Sequence, residues 1–123
     1  MFHHGIITYS NDVKEKALGV RHETLEAFGA VSEETAREMA AGVRRVSGAD
    51  IGVSVTGFAG PDADEPGKAP GLIFVALDAP GVQVCEKLET GRNDREYNRF
   101  VSASRVLNLI RKYAEKGEIQ NEK

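Results

Sequence analysis

The sequence predicts an α/β domain, a three-layer α/β/α arrangement with a mixed, mainly parallel sheet. Three observations predict it. Strand-like and helical segments interleave in the order β, short α, α, β, β, β, α. Two of the strand runs, Ile51–Val55 and Gly71–Leu77, are built of small and apolar residues, the pattern of strands covered on both faces. The last two strands are joined by Ala79-Pro80-Gly81, a tight turn, so one pair is a hairpin.

Each element has a local reason. Gly5-Ile6-Ile7-Thr8-Tyr9 is a strand run directly behind Phe2. Ser10-Asn11-Asp12 starts a short helix, Val13 to Leu18, which Gly19 stops. Leu25 to Gly29 reads as a second short turn. Ser32 caps a longer helix with Glu33 and Glu34 in its first turn, where the macrodipole favours acids. Ala36, Met39, Ala40, Val43 and Val46 recur at helical spacing as its buried face, and Gly48 follows its last turn. Asp62 to Pro70 is a polar loop rich in turn formers. Val82 to Leu88 alternates as an antiparallel edge strand. From Asn93 or Asp94 a long helix runs to about Ala114, with Tyr97, Phe100, Val101, Leu107 and Ile110 on one face. Residues 1–115 thus form one domain, and 116–123 a polar tail expected to fray.

Composition narrows the function. The chain has 123 residues, enough for one small domain, with 41% hydrophobic and 28% charged residues, so a disordered chain is excluded. A net charge of −3 leaves no electrostatic footprint for nucleic acid or an anionic membrane. No apolar run approaches the ~20 residues of a membrane span, and the N-terminus lacks the pattern of a secretory signal. The single cysteine, Cys85, excludes an internal disulfide framework and fits a reducing cytoplasm.

Three segments could carry chemistry. Tyr9-Ser10-Asn11-Asp12-Val13-Lys14 sits at a strand-to-helix junction, where open α/β sheets bind ligands. Lys14 falls in the first helical turn, whose positive end and partial burial favour the neutral amine of a general base. The plainer reading is a capping Asn11 or Asp12 and a solvated Lys14. Thr56-Gly57-Phe58-Ala59-Gly60-Pro61 follows a strand, and its glycines let backbone N–H groups approach an oxyanion or phosphate, or simply make a tight connection. It is neither a Walker loop nor a dinucleotide fingerprint. Gly91-Arg92-Asn93-Asp94-Arg95 precedes the long helix, so Arg95 and Arg99 could join its dipole in holding a phosphate, or serve as surface charges. His3, His4 and His22 lack metal-site spacing, and Cys85 reads as a packing residue.

These segments occur together with Leu18-Gly19-Val20, Gly29-Ala30-Val31-Ser32-Glu33-Glu34 and Asp94-Arg95 in an order and spacing that resembles one family. That family is the C-terminal domain of the competence/damage-inducible protein CinA, which also occurs alone as nicotinamide-nucleotide amidohydrolase. The resemblance runs from Phe2 to about Tyr113. It implies hydrolysis of nicotinamide mononucleotide (NMN) to nicotinic acid mononucleotide and ammonia, with no metal or other cofactor, through a serine nucleophile and a lysine base. Lys14 matches the family's catalytic lysine and Tyr9 the tyrosine of the same segment. Ser10 matches a serine beside the family's nucleophile. Asn11 belongs to the same motif. Thr56, Gly57, Ala59 and Gly60 match the Gly-rich substrate loop, and Arg95 matches an arginine placed near the phosphate.

The sequence also departs from the family. The family's Glu-Ser-Cys-Thr-Gly-Gly motif, with the strand and helix around it, does not occur in these 123 residues. Asp62-Ala63-Asp64 replaces a more Gly-rich stretch. The expectation is an N-terminally truncated domain, and the alternative to catalysis is a nucleotide-binding or structural remnant without the nucleophilic serine. An open sheet edge and an uncovered apolar face would then favour a homo-oligomer.

Overall fold

The computed structural model describes residues 16, 18–57 and 71–121, with side chains to residue 113. Its elements are α1 (His22–Phe28), α2 (Glu33–Ser47), β1 (Gly52–Gly57), β2 (Leu72–Ala79), β3 (Val82–Glu89) and α3 (Arg95–Asn121). The expected strand Gly5–Tyr9 and loop Asp62–Pro70 lie outside the described residues. Of the expected helix Val13–Leu18, Lys16 and Leu18 are described, and both are helical.

The local signals at α2 act as expected. The Ser32 hydroxyl accepts from the Thr35 N–H at 3.2 Å, and Gly48 donates back to the Arg44 carbonyl at 2.9 Å. The helix buries Ala36, Met39 and Ala40. Val46, expected on that face, lies in the last turn of the helix and is 49% exposed. The chain before α2 does more than turn: His22–Phe28 is a helix of seven residues. Leu18, Val20 and Leu25 pack on Met39, and the Arg45 guanidinium donates to the Leu18 carbonyl at 2.9 Å. Burial alone would raise the Glu38 carboxyl. The Arg21 N–H at 2.8 Å, the Thr24 hydroxyl at 2.6 Å and the Arg21 guanidinium outweigh it and hold the group below the ordinary carboxylate value.

The three described strands lie in the order β1-β2-β3, and both pairings are antiparallel. This corrects the expected mainly parallel sheet. The β2–β3 hairpin is the expected one; the difference lies in β1. It runs antiparallel to β2, with Gly52 opposite Asp78 and Gly57 opposite Ile73. The end of β1 therefore lies beside the start of β2, and no crossover helix is needed between them. The apolar run of β2 has another origin: it is the middle strand and is covered on both sides. Phe74 and Ala76 meet Ala36 and Ala40 of α2. Ile73, Val75, Leu77 and Ala79 meet Leu109 of α3. Double burial, not strand direction, makes the run continuous.

β1 is less evenly covered than its composition suggests. Ser54 faces α2, with its hydroxyl on the Ala36 carbonyl at 2.6 Å. On the other face Val55 is 40% exposed. α3 differs in two respects. It continues to Asn121, past Ala114. Its inward face carries Asn98, Ser102 and Leu109, with Val101, Val106, Ile110 and Tyr113 at its margins. Phe100 and Leu107, expected inside, are 70% and 68% exposed, and Tyr97 is 38% exposed. The expected face merged two apolar stripes on different sides of one helix. Among the described residues no helix is long and apolar enough to cross a membrane.

Candidate functional site

Antiparallel pairing brings the C-terminal end of β1, the start of β2 and the end of β3 to one end of the sheet. Gly57 pairs with Ile73 and Leu72 with Glu89. The N-terminus of α2 reaches the same end, because Thr56 donates its hydroxyl to the Ala30 carbonyl at 2.8 Å. α3 begins there too, since it starts from the loop leaving β3.

Two predicted segments therefore lie at the same end of the sheet, on strands separated by β2: Thr56-Gly57 and Gly91-Arg92-Asn93-Asp94-Arg95. Thr56 is buried and its hydroxyl is engaged with Ala30, so it ties β1 to the turn before α2. Gly57 is required by close approach: a Cβ there would lie 2.7 Å from the Leu72 carbonyl oxygen. Arg95 is exposed in the first turn of α3 and makes no ion pair among the described residues. Tyr9, Ser10, Asn11, Lys14, Ala59 and Gly60 lie outside the described residues.

The arginine loop is held from beneath. Asn98 is fully buried. Its amide donates to the Arg92 carbonyl at 2.9 Å, and its side-chain oxygen accepts from the Thr90 hydroxyl at 2.5 Å. The Thr90 oxygen in turn accepts from the Arg92 N–H at 3.2 Å. Gly71 lies under the same loop with φ 85°, where a Cβ would lie 2.9 Å from the Gly91 nitrogen. Asp94 caps α3 by accepting from the Tyr97 N–H at 3.1 Å. The Arg92 guanidinium stacks on the Tyr97 ring, 4.0 Å from its centroid. Sequence reasoning missed Asn98 and Thr90. The available signal was an asparagine on the inward stripe of a helix, where a polar side chain must find partners.

This end of the sheet combines cations with a helix N-terminus, a setting suited to an anionic group. The cleft of about 300 Å³ between α1 and α2, lined by Arg21, Thr24, Phe28 and Glu38, lies elsewhere and contains neither predicted segment. No group of His, Cys, Asp and Glu among the described residues could hold a metal. Cys85 packs against the α2 side of the sheet. Burial, reinforced by the Glu33 carboxylate, pushes its thiol up to about 11. It is therefore a packing residue, and its thiolate fraction at pH 8 is about a hundredfold below that of a thiol at 9. Ellman's reagent should label Cys85 at least tenfold more slowly in the folded protein than in the denatured chain. Labelling at equal rates would refute this.

Comparison with known proteins decides the relationship. The family model for the CinA C-terminal domain matches residues 1–114. The chain belongs to the CinA C-terminal domain family. A CinA-like protein of Kosmotoga olearia is 47% identical over 91% of this chain, which covers 27% of that protein. A putative competence-damage inducible protein of Caldanaerobacter subterraneus is 43% identical over 97% of the chain and 29% of its own length. The chain thus spans less than a third of the curated relatives it matches. The crystal structure of competence/damage inducible protein CihA from Agrobacterium tumefaciens superposes with a TM-score of 0.79 at 38% identity, covering 84% of this chain and 63% of that one. The corresponding protein of Enterobacter asburiae gives 0.72 at 34% identity, with 85% and 69% covered. The CinA-like α/β fold is therefore shared with solved members.

Proposed function

We propose that this CinA C-terminal-type domain acts on nicotinamide mononucleotide, hydrolysing its carboxamide with one water to give nicotinic acid mononucleotide and ammonia. One observation carries the reading: the fold gathers the Thr56-Gly57 strand end and the Arg95 helix start, which match the family's substrate loop and phosphate arginine, at one end of the sheet. A nucleotide needs both there, a close backbone for the reacting end and cations with a helix dipole for the phosphate. In this reading Lys14 is the base. It takes the proton of a serine hydroxyl, for which Ser10 is the candidate in these residues, as that oxygen attacks the carboxamide carbon, and returns it to the departing ammonia. A water then hydrolyses the acyl-serine ester to nicotinic acid mononucleotide and restores the hydroxyl. Ser10 and Tyr9 share its segment. Asn11, Thr56, Gly57, Ala59 and Gly60 bound the substrate, and Arg95 holds the phosphate.

The sequence favours one second reading, NMN binding without turnover, because the family's Glu-Ser-Cys-Thr-Gly-Gly motif does not occur in these residues and acyl transfer through serine needs the serine. Ammonia release from NMN by the purified chain separates the two. Turnover that falls about a hundredfold or more in Lys14→Ala, with KM raised about tenfold in Arg95→Ala, is the expected result. Saturable NMN binding by calorimetry without release supports the second reading. Neither release nor binding overturns both.

A further inference from the structure

One stripe of α2 is given over to holding another stretch of backbone. Glu38, Gly42 and Arg45 are spaced four and three residues apart, so they share one side of the helix. The chain from Leu18 to Arg21 lies along them in the opposite direction. At one end the Arg45 guanidinium donates to the Leu18 carbonyl at 2.9 Å. In the middle Gly42 lets that backbone in, since a Cβ there would lie 2.7 Å from the Leu18 carbonyl carbon. At the other end the Glu38 carboxylate accepts from the Arg21 N–H at 2.8 Å, the Arg21 guanidinium at 3.3 Å and the Thr24 hydroxyl at 2.6 Å. Leu18, Val20 and Thr24 are buried against the helix side of this chain.

Apolar packing alone would let the strip slide. Here two ionised side chains of α2 each hold a main-chain group, one a carbonyl and the other an N–H. Such charge-assisted bonds are directional and fix the backbone at both ends of the strip. The Leu18 carbonyl is a natural hold: Lys16 and Leu18 are helical and Gly19 leaves the helix with φ 71°. A carbonyl at a helix end has no partner within the helix, and a cation there suits the dipole. Lys14 is four residues before Leu18, at most about 14 Å along the chain.

We propose that Glu38 and Arg45 are positioning residues for the reaction: by clamping the backbone at Arg21 and Leu18 they fix where the chain delivers Lys14. The assignment rests on the proposed function, in which Lys14 is the base. Arg45 lies in the last turn of α2, whereas the first turn reaches the Thr56-Gly57 end of the sheet. Arg45 thus acts through the chain and not on the substrate. A misplacement of about 1 Å costs on the order of a hundredfold in rate, and with one of two clamps left the expected loss is about tenfold.

The full chain carrying Arg45→Met, Arg45→Lys or Glu38→Gln, each with an unchanged circular dichroism spectrum, tests this. In ammonia release from NMN, kcat should fall about tenfold in Arg45→Met and Glu38→Gln, with KM within about twofold of the wild type. Arg45→Lys, which keeps a cationic donor for the Leu18 carbonyl, should regain most of it. A second readout needs no turnover: the pH midpoint for acetylation of Lys14 by acetic anhydride, followed by peptide mass spectrometry. It should rise by about one unit in Arg45→Met, toward the ordinary lysine value of about 10.4, and return in Arg45→Lys, with Lys87 unmoved. An unchanged kcat in Arg45→Met overturns the proposal, and so does a Lys14 midpoint that does not move. A loss that Arg45→Lys fails to rescue overturns it as well. Failure of the NMN reaction reads differently: a wild type that releases no ammonia, while the Lys14 midpoint still follows Arg45, upholds the clamp and removes the reaction.

Discussion

Gly42→Ala is expected to lower stability by about 2 kcal/mol, although the change improves helix propensity. Alanine inside α2 would gain about 1 kcal/mol over glycine in an isolated helix. The packing term has the opposite sign and is larger. A Cβ at position 42 would fall 2.7 Å from the Leu18 carbonyl carbon and 3.0 Å from its Cα. These are backbone atoms, which cannot swing aside as a side-chain tip can. Overpacking of this kind costs about 3 kcal/mol. The Leu18 carbonyl is also held by Arg45 at 2.9 Å, and Leu18 is 1% exposed in the cluster with Val20, Leu25 and Met39. Relief by retreat of Leu18 would lose both. A thermal melt should show a drop of roughly 10 °C. A variant as stable as the wild type would show that the approach of Leu18 to α2 is wrong.

Asn98→Ala is expected to cost about 2–4 kcal/mol and to loosen the loop that presents Arg92 and Arg95. The side chain is fully buried and joins two segments, accepting from the Thr90 hydroxyl and donating to the Arg92 carbonyl. Its removal leaves polar groups without their partner and opens a cavity, and both terms have the same sign. Hydrogen exchange gives the local readout. The Thr90 and Arg92 amides, which bond to the Gly71 carbonyl and the Thr90 oxygen, should lose protection more than amides in β2 do. Uniform loss across the sheet would mean that Asn98 is merely a core residue with no special hold on the loop.

The sequence made the elements legible where chemistry acts within a few residues. Ser32, the two glutamates after it and Gly48 marked α2 at both ends, and Pro80-Gly81 marked the hairpin. Strand direction was not legible for β1 and β2. A strand covered on both faces carries the same apolar run in either direction, and coverage depends on helices remote in sequence. The inward face of α3 was misread for a related reason. Its true inward stripe contains Asn98 and Ser102, which a hydrophobicity pattern rejects, while Phe100 and Leu107 belong to another side. At the candidate site, Gly57 and Arg95 were legible as residue types. The hold on the arginine loop was not, because it joins Thr90, Arg92 and Asn98 across a loop and a helix.

The simple order of the sheet bears on how the chain folds. Every described strand pairs with its neighbour in sequence, and β2 and β3 are separated only by Pro80-Gly81. Closing so short a loop costs little chain entropy, and an isolated hairpin of this kind forms in about 1–10 μs. α2, which immediately precedes β1, packs against that strand. Contacts local in sequence favour rapid folding. Among the described strands, the β2–β3 pair is therefore the one whose closure costs the least chain entropy.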